Sequence, residues 1–269
     1  MDKGTLQEAA DKGLLREEQV DPLLAFLNKE MQAEYPSQGE EQLKFVRSFG
    51  DIFITLGIIF VAVSLSRFEL EAYANLIPVV IFALTAEWLV RVRRLALPGI
   101  AILLSMLYFV SAIGNFDTQE HSLFMAGLMT AVAAAFYLRH RMPFSLFPIA
   151  AGVIGIVTYL IGIDISELAI VLAGYGLAIF VVAMWFDAQD TARNTRLSDC
   201  AFWLHLLAAP LIVHGVMVTL LSPGGVASPV KEILTITFFI GFFLLALYVD
   251  RRALLVSSIS YAIYAVITL

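Results

Sequence analysis

The chain has 269 residues, of which 60% are hydrophobic and only 15% charged, with a mean hydropathy of +0.85 and a formal net charge of −6. A soluble domain is about a quarter charged, so this apolar excess must face something other than water, which excludes the ordinary soluble globular classes. Recurring runs approach the ~20 apolar residues that cross a bilayer, and no ten-residue alternating segments of a barrel are visible, so an all-α polytopic transmembrane bundle is predicted.

Residues 1–48 read as a short cytoplasmic helical hairpin and linker, and residues 49–269 as the bundle. Thr5-Leu6-Gln7-Glu8 fits a capping box, and Leu6, Ala9 and Ala10 give the first short helix an apolar side. Gly13 is placed to end it. Val20, Leu23, Leu24, Leu27 and Met31 then recur on one stripe of a second helix. Pro22 either opens that helix behind an Asp21 cap or interrupts one begun at Glu17. The first apolar run long enough to direct insertion begins near Ile52, so the membrane helices themselves are expected to act as signals.

Nine apolar helices follow, expected over Phe49 to Ser66, Ala72 to Val90, Leu95 to Gly114, Ser122 to Leu138, Met142 to Ile163, Leu168 to Phe186, Ala201 to Leu221, Ile233 to Val249 and Ala253 to Leu269. The last runs apolar to the final residue without a polar flank, leaving room for a tenth helix beyond it. With the N-terminus inside, fifteen of the 17 Lys and Arg fall on inner segments, among them Arg91, Arg93, Arg94, Arg139, Arg141, Arg251 and Arg252. Only Arg67 and Lys231 remain outside. Trp88, Trp185 and Trp203 all fall at inner helix ends, where an amphipathic ring suits the interface. The arginines are topology markers first.

Three stretches carry a resemblance: AADKGLLREEQVDPLLAFL near the N-terminus, FGDIFITLGIIFVAVSLSRFE after the linker, and DRRALLVSSISYAIYA near the end. Together they resemble bacterial polytopic inner-membrane proteins of the domain of unknown function 2157 type. The resemblance implies a hairpin followed by a bundle that often continues through one further helix, and it brings no reaction, substrate or catalytic residue. EWLVRVRRLALPGIAI, FYLRHRMPFSLFPIAA and LYVDRRALLVSSISYA each join two helices through a tight basic turn. Either duplication or positive-inside sorting alone would produce that pattern.

Ionisable residues within the membrane are functional candidates because desolvating them is costly. Glu87 lies four residues before Arg91, the favourable spacing for a helical ion pair, and either structural pairing or a substrate or proton role accounts for it. His205 and His214 share one helix with Pro210 between them. Nine residues at 100° each put the two rings on opposite faces, so they cannot jointly grip one metal. His205 is expected near the inner interface and solvated, His214 deeper and hydrogen-bonded to a neighbouring helix. Cys200 reads as a small buried or interfacial thiol. Small residues mark expected packing seams at Gly127, Ala131 and Ala135, at Ala151 and Gly155, and at Ala169, Ala173, Gly174 and Ala178.

No phosphate-binding loop, nucleophile elbow or metal-spaced His or Cys pair occurs, so no catalytic residue, metal or cofactor is expected. The partners expected are the lipid bilayer and a cytoplasmic or membrane protein met through residues 5–33, with no nucleic acid, since residues 1–51 are acidic. Three function classes stay open: a non-catalytic scaffold or sensor with a docking hairpin, a transporter or lipid-handling protein with a midplane cavity near His214, and an intramembrane enzyme.

Overall fold

The computed structural model describes residues 3–24, 48–68, 71–114, 119–163, 165–191, 195–220 and 229–249. The chain divides into two compact units, Met1–Gln42 and Leu43–Leu269.

In the first unit, α1 covers Lys3–Asp11 and α2 covers residues 17–24. α1 begins before Thr5, so that residue lies inside the helix and not at the start where a capping box was expected. Gly13 ends α1 with φ +70, the left-handed conformation that a Cβ penalises. The backbone N–H of Arg16 donates to Gln19 Oε1 at 3.1 Å, so a side chain three residues on satisfies a donor at the start of α2. Pro22 therefore lies within α2 rather than at its first position. Leu6 and Val20, one from each apolar stripe, are both 2% exposed. Leu27 and Met31 lie outside the described residues.

The second unit is an all-α bundle. Its helices are α3 (Phe49–Ser66), α4 (Leu76–Ala86), α5 (Ala96–Ser111), α6 (Gln119–His140), α7 (Leu146–Ile161), α8 (Ile165–Gln189), α9 (Arg196–Leu220) and α10 (Pro229–Val249). A 3₁₀ turn, Ala72–Asn75, opens α4, and a π turn, Glu87–Val92, extends it. These eight match eight of the nine expected helices, while Ala253 to Leu269 lies outside the described residues. Six are long and apolar enough to cross a membrane, counting the turns that extend α4 and α7. The protein is a membrane protein on that ground.

Capping chemistry sets the start of α3. Asp51 accepts from the Ser48 N–H at 3.3 Å and from Ser48 Oγ at 2.9 Å, so the carboxylate is buried at 4% exposure yet satisfied. α5, at 16 residues and about 24 Å by helical rise, is shorter than the six long spans and is the most enclosed. Ile102, Leu103 and Phe109 are at most 1% exposed, and Phe82 of α4 stacks on Phe109 at 6.1 Å. Helices α3, α4 and α6 pack around it. The α4–α5 hairpin closes at its far end where buried Asn75 donates to the Ala112 carbonyl at 3.3 Å.

α8 and α9 make the closest helix pair. A Cβ on Gly176 would meet the Ile212 N–H and the Ala208 carbonyl, and one on Gly215 would meet the backbone of Ala169 and Ala173. Backbones in such contact need glycine. The expected seam residues are thus right at Ala169 and Ala173 and wrong at Gly127, Gly155 and Gly174, where an added Cβ meets open space. Small residues on helices whose outer surfaces face lipid look the same in sequence as those on the packed side.

The first two basic turns share one backbone conformation. Arg94 and Arg141 both adopt positive φ, 56° and 54°, and the following Leu95 and Met142 are extended at φ −87, ψ 119 and φ −84, ψ 120. A left-handed residue other than glycine costs about 1–2 kcal/mol.

Candidate functional site

Two polar constellations occupy the end of the bundle that carries the basic turns. The first is built on Glu87, at the start of the π turn. It accepts from Arg91 Nη1 at 3.2 Å, from Arg139 Nε at 2.6 Å and from Arg139 Nη2 at 3.1 Å. The helical pairing with Arg91 is the one the sequence indicates. The two-pronged grip by Arg139, 52 residues away, ties the α4–α5 turn to the end of α6 and leaves no structural need for a further ligand at Glu87.

On the same turn Arg93 lies over the Trp88 ring at 5.6 Å, and Trp88 is 58% exposed. Trp203 of α9 meets Phe144, between α6 and α7, edge-on at 4.8 Å. Turn to turn, these contacts bring the three hairpin ends α4–α5, α6–α7 and α8–α9 to one side of the bundle. Trp185 is exposed near the end of α8, so all three tryptophans fall at this side. Arg251 and Arg252 lie outside the described residues.

The second constellation is a buried pair. His205, on α9, has no exposed surface, and its Nε2 lies 2.9 Å from Asp187 Oδ2 on α8. The carboxylate accepts, so Nε2 carries the hydrogen of this bond. Phe180 meets the imidazole in a T at 5.2 Å. Nδ1 has no hydrogen-bond partner among the described residues. The expectation for His205 is therefore corrected: it is not solvated but fully enclosed, because the α8–α9 contact covers it, and His214 lies on an exposed face of α9.

Asp187 did not figure among the sequence candidates. The missed signal is the period along α8: Ala169, Ala173, Gly176, Phe180, Ala183 and Asp187 alternate steps of four and three, the pattern of a helix seam. Five of these residues meet Gly215, Ala208, Ile212 or His205 on α9, and Ala183 is fully buried. Asp187 is the seam's polar end.

Next to the pair, Asp190 Oδ2 accepts from the Thr195 N–H at 2.9 Å and from its hydroxyl at 2.7 Å, while Thr195 Oγ1 in turn accepts from the Leu197 N–H at 3.2 Å. That relay fixes the start of α9. Cys200 is buried nearby in sequence, as a packing thiol would be.

Chemically, Asp187 orients the imidazole as a carboxylate does in a catalytic dyad, and no hydroxyl or thiol among the described residues bonds Nδ1. Among the described residues no three His, Cys, Asp or Glu side chains converge as a metal site would require. Comparison with protein-family models, with curated proteins and with solved structures finds no match.

Proposed function

We propose that this is a multi-pass protein of the bacterial inner membrane, with a cytoplasmic N-terminus, that acts as a non-catalytic scaffold or sensor and meets another protein through residues 5–33. Membership of the domain of unknown function 2157 group that it resembles is part of the same reading. The observation that carries it is the N-terminal unit: the chain separates Met1–Gln42 from the bundle, and Leu14, at the turn between α1 and α2, is 77% exposed. Leu14 is a place on this unit where a crosslinker can be put without disturbing the buried Leu6 and Val20. The intramembrane charges support the same view, since Glu87 and Asp187 each have a basic partner within the fold. Transport past His214 is the less favoured reading because that side chain is on an exposed face of its helix.

The test combines topology with capture. In a Cys200→Ser background, new cysteines at position 119 should label from outside and at position 140 from inside. A photo-crosslinking residue at position 14 in intact cells should trap one discrete protein partner. Reversed labelling overturns the orientation, and crosslinks confined to lipid or to the chain itself overturn the docking role.

A further inference from the structure

We propose that the α4–α5 and α6–α7 turns together bind the phosphodiester of an anionic phospholipid headgroup, with Arg94 and Arg141 as its principal ligands. The two turns are neighbours: Arg139 grips Glu87 across them, and a Cβ on Gly99, in the first turn of α5, would lie 3.0 Å from Met142 Sδ. Between them they contribute Arg91, Arg93, Arg94, Arg139 and Arg141 against a single carboxylate, Glu87.

These arginines are not equivalent. Arg91 and Arg139 are committed to Glu87, and Arg93 rests on the Trp88 face. Arg94 and Arg141 are exposed and form no ion pair among the described residues. Both also hold the left-handed backbone conformation at the corresponding place of each turn, immediately before an extended residue and the next helix. Glycine would occupy that conformation without strain, and asparagine with little. An arginine there, twice, points to the side chain rather than the backbone as what the position requires.

Positive-inside sorting counts only Lys and Arg and accounts for basic residues at each of these turns, and what sets the first two apart is their charge balance. The α8–α9 turn, at the same end of the bundle, carries Arg193 and Arg196 against Asp187, Asp190 and Asp199, so it has no cationic excess. The surplus belongs to two turns that touch. A guanidinium offers paired donors to phosphate oxygens, and basic clusters between membrane helices at the interface are where anionic headgroups bind. A lipid rather than a soluble phosphate fits because exposed Trp88, an interfacial side chain, stands beside the cluster with Arg93 upon it.

The experiment uses the full chain purified in a zwitterionic detergent, with thermal unfolding and native mass spectrometry as readouts. Phosphatidylglycerol should raise the midpoint and remain bound in the gas phase, whereas phosphatidylcholine and inorganic phosphate should do neither. The Arg94→Gly/Arg141→Gly protein should unfold at the wild-type temperature or above without lipid, and lose the phosphatidylglycerol shift. Arg94→Asn/Arg141→Asn, which also tolerates the left-handed backbone, should behave alike. Arg196→Gln, which removes a charge from the other turn, should keep the shift. An undiminished shift in both double variants, an equal loss in Arg196→Gln, or the same shift from inorganic phosphate would each overturn the proposal.

Discussion

Replacing His205 by leucine tests whether the Asp187 pair holds α8 to α9. The ring is fully enclosed, and leucine fills similar space and can keep the apolar contact with Phe180, so the main loss is the hydrogen bond to a carboxylate. In soluble hosts such a bond contributes roughly 1.5–3 kcal/mol. Polar contacts between membrane helices contribute less, averaging ~0.6 and reaching ~1.7 kcal/mol. Asp187 keeps 16% of its side-chain surface exposed, so part of its charge can be rehydrated when the donor goes. These limits put His205→Leu at about 1.5 kcal/mol of destabilisation. His205→Gln carries an amide donor to about where Nε2 stood and should cost no more than ~0.5 kcal/mol. Reversible unfolding in mixed micelles would measure both, with Asp187→Ala and the double variant completing a cycle whose coupling should reach about 1 kcal/mol. Equal costs for leucine and glutamine, or a coupling below ~0.3 kcal/mol, would show that the pair is merely adjacent.

Two further outcomes follow from the packing. Gly215→Ala should destabilise by about 1–3 kcal/mol, since its Cβ meets the backbone of Ala169 and Ala173, while Gly174→Ala, facing open space, should be neutral or stabilise by up to ~1 kcal/mol through helix propensity; the same unfolding assay ranks them, and a reversed order would contradict the seam. His214→Leu should change stability by less than ~0.5 kcal/mol because the side chain is exposed, and a large loss in that assay would show that the contacts of His214 hold the bundle together.

Much of the architecture was legible because a bilayer imposes coarse rules on sequence. Apolar length located α3 through α10 to within a few residues, and the Glu87–Arg91 pair followed from spacing alone. What escaped was whatever depended on which face of a helix turns inward. In a soluble helix polarity marks the outer face, but here Leu177 and Val181 face outward as apolar as anything inside. The small-residue pattern therefore marks Gly127 as a seam residue and passes over Gly176, although of the two only Gly176 meets a neighbouring backbone. Arg139 reached Glu87 from 52 residues away, a distance no local pattern encodes. His205 was misplaced for a related reason: closeness to a helix end was read as contact with water, yet the apposition of α8 closes over it.

The seam between α8 and α9 has small apolar contacts along most of its length and a charge at one end, and this asymmetry makes it act as an index stop. Sliding α9 by one step of three or four residues would set Asp187 against Ala208 or Ala201 in place of His205, while Val218 or Leu211 would arrive where only Gly215 clears the α8 backbone. Apolar faces of alanine and glycine alone would admit several such offsets at nearly equal energy. With the pair in place the two helices have a single registration, so the hairpin can enter the bilayer already keyed to one alignment and present the rest of the bundle with a surface of fixed shape.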